Sequence, residues 1–285
     1  MRLALIGVGL IGGSFARAAR AAGKVAYVVG FDTDLDAVRR GVKLGVIDEA
    51  ASMASQAVAG ANLVMIATPV GAIRQVLREI APHLHGAAIV TDVGSTKVRV
   101  VEAAREELAT AFPRFVPGHP IAGREQSGVD HADVALFRDK VFISTPVAQT
   151  NLNAVEWVGA LWREVGCRTE RMTPEEHDSV FAAVSHLPHL LAFALVAYIA
   201  TQPDSERRFA LAGAGFRDFT RIAASDAEMW SDICVSNPSA IGNELRAYRE
   251  QLEQLQRALD ASDRAALRRV FLQAATTRAS RLTER

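Results

Sequence analysis

The sequence predicts an α/β N-terminal half built as a doubly wound parallel sheet, followed by an all-α C-terminal half, and three observations carry this. Short β-rich runs alternate with polar-faced helical segments over the first half. A glycine-rich turn, Gly7-Val8-Gly9-Leu10-Ile11-Gly12, joins the first such run to an alanine-rich helix. From about Pro146 the β-rich runs stop and long helical patterns take over. At 285 residues the chain has room for two ordinary domains, with the expected division at 1–147 and 148–285.

The expected strands are residues 2–6, 25–31, 63–67, 88–92, 115–119 and 141–144. In the second half, Thr173-Pro174-Glu175-Glu176 combines an N-cap, a first-turn proline and a capping-box glutamate, and Asn237-Pro238 repeats the cap and proline. Each marks the start of a long helix. Residues 187–200 are apolar on nearly every face, whereas the surface helix of a monomer shows one apolar stripe. Burial between two copies accounts for that pattern, so a homodimer through the helical domain is expected.

Lysine plus arginine equals aspartate plus glutamate, 32 each, which leaves no global field to recruit nucleic acid or an anionic membrane. Any anion must be met by placed groups. The two cysteines, Cys167 and Cys234, lack metal-ligand spacing, and the chain opens on a strand-like segment where a secretory leader would stand. No metal site and a cytoplasmic location are the expectations. The longest apolar stretch, residues 190–200, is shorter than a bilayer span, so no membrane role is expected.

The glycine turn has the context that gives the GxGxxG pattern meaning, a strand before it and a helix after it. Gly7 permits the tight turn, Gly9 lets the backbone approach a pyrophosphate, and Gly12 lets helix and strand pack closely, with Leu10 and Ile11 between them. Free N–H groups at the helix start then face the anion. A Rossmann-like dinucleotide-binding domain follows. The second strand reaches Asp32, about 20 residues beyond Gly12, where a carboxylate accepts hydrogen bonds from an adenine ribose and repels a 2′-phosphate. NAD is therefore expected in preference to NADP.

Ligands of such sheets lie outside the carboxyl ends of the strands. Those ends read Gly7 to Gly12, Asp32, Thr68-Pro69, Asp92-Val93-Gly94-Ser95 and Gly118-His119-Pro120. Thr68, Pro69, Gly94 and Ser95 are candidate cofactor contacts. His119 is the best placed base, because imidazole titrates nearest neutrality and suits the removal of a hydroxyl proton as hydride leaves the same carbon. A purely structural histidine remains the alternative at this point.

Five segments make the chain resemble the prephenate/arogenate (cyclohexadienyl) dehydrogenase family: GVGLIGGS at the start, TDVGSTK (Thr91 to Lys97), GHPIAGREQSGV (Gly118 to Val129), SHLPH (Ser185 to His189) and GFRDFTRIA (Gly215 to Ala223). The third is the most specific. The resemblance implies NAD-dependent oxidative decarboxylation of a cyclohexadienyl dicarboxylate on the route to tyrosine. It implies that His119 is the base, with Ser95 beside it. His189, with His186, and Arg221 would bind substrate, and Glu125 and Asp218 would organise the pocket. Arg221 offers a planar fork for a carboxylate, with an ion pair to Asp218 or Asp226 as its structural alternative. Prephenate and arogenate both stay open as substrates.

Two other readings compete. A β-hydroxyacid or 6-phosphogluconate-like dehydrogenase shares the domain order but uses a helical-domain lysine as base, and residues 174–200 contain none. A non-catalytic dinucleotide-sensing dimer would need only the glycine turn and Asp32, and would leave His119, Ser95 and Arg221 idle.

Overall fold

The computed structural model describes residues 1–124 and 126–281, so Glu125 lies outside the described residues. It contains two compact units, Met1–Pro238 and Ser239–Arg285. In the first unit, β1 (Arg2–Ile6), β2 (Tyr27–Phe31), β3 (Glu49–Ala50), β4 (Leu63–Ile66), β5 (Ile89–Asp92) and β6 (Phe115–Val116) form one parallel sheet. The strand order is β3-β2-β1-β4-β5-β6, which reverses direction between β1 and β4. The reversal opens a crevice at the strand ends.

The central strands read as continuous apolar runs because both sheet faces are covered. Leu3 and Leu5 point into one core with Phe15 and Met65, while Ala4 and Ile6 point into a second with Val64, Leu77 and Val101. α1 (Leu10–Ala21) and α2 (Leu35–Lys43) line the first side, and α3 (Ala54–Ala57), α4 (Ile73–Ile80) and α5 (Val98–Leu108) the other.

Two expectations about strands are corrected. Residues 115–119 do not form one strand of the parallel sheet: after β6 the chain passes Pro117, which has no N–H to continue the ladder, and enters β7 (Gly118–Ile121) of a separate sheet. There β7 pairs antiparallel with β8 (Val141–Ser144), and β8 pairs parallel with β9 (Arg168–Arg171). The strand 141–144 thus belongs to this second sheet, and β9 is a strand beyond the point where β-rich runs stop. Its sequence, Arg-Thr-Glu-Arg, carries no apolar alternation; its pairing with β8 decides its state. α6 (Leu152–Glu164) also lies beyond residue 147, yet Val155, Val158 and Trp162 join the core of Phe15 and Phe142. Trp162 stacks on Phe142 with ring centroids 4.5 Å apart.

α7 (Pro174–Phe181), a π-helical turn at Ala182–His186 and α8 (Leu187–Ala200) run on as one 27-residue helix. Thr173 caps it as its sequence predicts, its Oγ1 accepting from Glu176 N–H at 3.1 Å. Its most apolar 18-residue window has a mean hydropathy of 1.9, so by length and composition alone this helix passes as one able to cross a membrane, a property that the core helices of soluble proteins share. Within α8 only Leu187 and Ala192 are buried in the single chain, and Tyr198 is exposed.

α9 (Ser205–Ala210), α10 (Ala214–Thr220) and α11 (Ala227–Ser236) complete this unit. α12 (Pro238–Asp260) begins at the predicted proline, but Asn237 spends its side-chain amide elsewhere, donating to the Asp178 carbonyl at 2.8 Å. The second unit consists of the rest of α12 and α13 (Arg264–Arg281), and α13 buries none of its side chains.

Candidate active site

The glycine turn is built as a cradle. Gly7 has φ +100°, and a Cβ there would stand 2.5 Å from the backbone of Ala67, so only glycine fits. A Cβ at Gly12 would meet the Gly7 carbonyl oxygen at 2.6 Å and Leu5 Cδ1 at 2.7 Å, which is the close approach of α1 to β1. At Gly9 it would meet nothing within 4 Å. Gly9 is the N-cap of α1 and no side chain caps that end, so the first N–H groups of the helix remain available to an anion. Leu10 is buried in the core and Ile11 packs against it.

Asp32 stands at the end of β2 beside this turn. Its Oδ2 accepts from Val8 N–H at 2.7 Å and its Oδ1 from Asp34 N–H at 2.9 Å, so the carboxylate is fixed in place. The arginines of α2 are engaged elsewhere, Arg39 with Asp36 and Arg40 with Asp34 and Asp130. Thr68 and Pro69 follow β4, half-buried and exposed respectively. Gly94 follows β5, its N–H donating to Asp92 Oδ2 at 2.8 Å. The open cradle, the free helix end and the fixed carboxylate together fit a dinucleotide.

Beyond this crevice the structure gathers a histidine cluster that the sequence resolves only in part. Asp92 Oδ1 accepts from Gly118 N–H at 3.0 Å, and the fully buried Lys97 bonds both the Asp92 carboxylate and, at 2.7 Å, the Gly118 carbonyl. This clamp ties the end of β5 to β7 and fixes the backbone next to His119. Burial pushes the Lys97 ammonium below its ordinary range against the pull of Asp92.

His119 Nδ1 lies 2.9 Å from His177 Nε2, and His177 Nδ1 lies 2.8 Å from Asp178 Oδ1. Asp178 also accepts from Lys97 N–H at 2.7 Å and from Val98 N–H at 2.9 Å. Burial holds His119 well below the usual imidazole value, with His177, Lys97 and His186 adding repulsion against a positive ring. His186, 1% exposed, is pushed down to about 4 by burial. The Ser95 backbone beside it pulls the other way. His189 is lowered by partial burial, bonds the Ser185 carbonyl through Nδ1 at 2.9 Å, and stacks on Trp230 with centroids 3.6 Å apart.

The predicted residues are thus sorted. Ser95, His119, His186 and His189 come together, and Arg221 is close enough to His189 to depress its pKa. Asp218 is exposed on α10, and its side chain makes no hydrogen bond or ion pair among the described residues. Glu125 is not described. Sequence reading missed Lys97, His177, Asp178, Trp230 and Asn237. Their sequence signal was at most a His-Asp pair following a helix start; their convergence is tertiary. An unprotonated imidazole at such a crevice can accept a proton at neutral pH.

Comparison with known proteins agrees with this geometry. Residues 15–171 match the family model described as prephenate dehydrogenase, nucleotide-binding domain, and residues 173–273 the one described as prephenate dehydrogenase, dimerization domain. The chain is 36% identical over 272 residues to a prephenate dehydrogenase of Bacillus subtilis, covering 94% of this chain and 72% of that protein. It is 35% identical to a cyclohexadienyl dehydrogenase of Zymomonas mobilis, covering 92% and 89%. The crystal structure of prephenate dehydrogenase from A. aeolicus in complex with hydroxyphenyl propionate and NAD+ superposes with a TM-score of 0.90 at 33% identity, over 99% of this chain and 98% of that one. With both family models matched in order along its length, this chain belongs to the prephenate dehydrogenase family.

Proposed function

We propose that the protein oxidatively decarboxylates prephenate to 4-hydroxyphenylpyruvate, arogenate to tyrosine, or both, with NAD as cofactor. The observation that carries this reading is the hydrogen-bonded row Asp178–His177–His119, which Lys97 and Asp92 tie to the end of β5 in the same sheet that carries the glycine cradle, with burial favouring the neutral His119 ring. Gly7 to Gly12, Asp32, Thr68, Pro69, Gly94 and Ser95 would hold NAD, which when bound would supply the hydride acceptor. His119 takes the proton of the ring C4 hydroxyl as hydride leaves C4, the ring carboxylate departs as carbon dioxide, and the ring becomes aromatic. Aromatisation drives the reaction, so the protein's task is positioning and charge placement. Ser95 bonds the hydroxyl alongside His119, Arg221 forks a substrate carboxylate with His189 and His186 beside it, and Glu125 and Asp218 organise that pocket.

The reading includes a homodimer. α8 fully buries only Leu187 and Ala192 in the single chain and leaves its other apolar side chains partly exposed, and α13 exposes Val270, Phe271 and Leu272. The dimerization-domain match over residues 173–273 supports a second copy as the cover. NADH formation at 340 nm, with prephenate and arogenate offered separately, tests the activity, and the ratio of the two kcat/KM values names the substrate. Absence of turnover with either, while NAD still binds, would sink the reading.

A further inference from the structure

We propose that His177, anchored by Asp178, is a positioning residue that fixes His119 in its Nδ1-protonated tautomer and so leaves Nε2 bare to receive the substrate proton. The inference rests on His119 acting as the base.

Asp178 is held by two backbone donors, Lys97 N–H and Val98 N–H, at 2.7 and 2.9 Å, so its oxygens have a fixed direction. Its main chain is held as well, the carbonyl accepting from the Asn237 amide. A carboxylate in this setting accepts, so the 2.8 Å contact with His177 Nδ1 requires a proton on that nitrogen. His177 is fully buried, and burial lowers its pKa, which favours the neutral ring. A neutral imidazole with a proton on Nδ1 has a lone pair on Nε2. The 2.9 Å contact to His119 Nδ1 is then a bond donated by His119.

Each ring nitrogen's state is set by the bond the other one makes. With Nδ1–H committed inward, His119 Nε2 is the lone-pair nitrogen, and it makes no hydrogen bond among the described residues. Phe181 packs on both rings, with centroids 5.1 Å from His119 and 4.6 Å from His177, which restricts their rotation. Once His119 takes a proton, its Nδ1–H still points at His177 and through it at Asp178. The new charge is stabilised without any rearrangement, although Lys97 and His186 oppose it.

The test is a side-chain nitrogen–proton correlation spectrum of the ¹⁵N-labelled full-length protein with NAD bound, at pH 7.5, with His119→Asn used to assign the His119 signals. The expected wild-type pattern is a neutral His119 protonated at Nδ1; protonation at Nε2 overturns the proposal. Replacing His177 with Phe removes the acceptor, and kcat is expected to fall about 10²- to 10⁴-fold, the usual size of a general-base contribution, with NAD affinity retained. His177→Gln, whose carbonyl can accept the same bond, should recover most of kcat and the Nδ1–H signal. A kcat for His177→Phe within threefold of wild type overturns the role. Because the spectrum needs no turnover, an inactive wild type showing the Nδ1 tautomer would count against the proposed reaction and not against the relay.

Discussion

Gly9 and Gly12 of the phosphate turn are separable, and substituting each with alanine should separate fold from cofactor. At Gly12 the new Cβ would lie 2.6 Å from a backbone oxygen and 2.7 Å from Leu5 Cδ1, distances that real Cβ atoms do not tolerate. Strand and helix must part by several tenths of an ångström, an overpacking cost of about 1–3 kcal/mol, or about 2–4 °C of melting temperature for each kcal/mol in a chain of this size. At Gly9 the Cβ would meet nothing, and the backbone there is extended, a conformation open to any residue. Alanine caps a helix less well than glycine by up to about 1 kcal/mol, and the lost freedom of the unfolded chain returns about 0.4–1 kcal/mol. The net change in stability is near zero. What Gly9→Ala removes is the space through which a pyrophosphate reaches the first N–H groups of α1, so NAD affinity should fall at least about tenfold, or about 1.4 kcal/mol. Calorimetric titration with NAD and thermal unfolding by circular dichroism give both numbers for both variants. A Gly9→Ala protein that binds NAD as tightly as wild type, or melts several degrees lower, would refute the assignment.

Replacing His119 with Asn should lower kcat by about two to four orders of magnitude while NAD still binds; near-normal turnover would remove it as base. Acid should destabilise the fold through the buried histidines. His186 stays neutral in the folded state down to about pH 4 but binds a proton below about 6.5 once unfolded, so its contribution is complete above pH 6.5 and drains away as pH falls toward about 4. The full loss is about 3 kcal/mol, and the lowered His119 and His177 act in the same direction. Urea unfolding at pH 7.5, 6.0 and 5.0 checks it, and stability that is flat or rising toward acid contradicts it. Trp162→Ala, which empties the space between Phe15, Phe137 and Phe142, should cost about 3–5 kcal/mol by the same urea assay, and a loss under about 1 kcal/mol would mean that the surrounding core collapses to fill it.

The division between what was legible and what was not follows the range of the forces involved. The glycine cradle, Asp32 and the Thr173 cap were readable because each depends on a short stretch of chain: a positive φ, a carboxylate at the end of the next strand, a helix start. The central strands were readable because burial on both faces demands unbroken apolar runs. The polar strand β9 was not, since its state is decided by pairing with β8, and neither was the break at Pro117 that carries His119 onto a second sheet. Its place at a strand end singled out His119, while the resemblance supplied His186, His189 and Arg221 as names without geometry. By itself the sequence determined a dinucleotide crevice followed by helices, because those signals are local. Only the tertiary structure decided that Lys97, His177, Asp178 and Asn237 converge on that imidazole. Their hydrogen bonds join residues up to 81 positions apart, and no local pattern encodes the direction of a proton across such a distance.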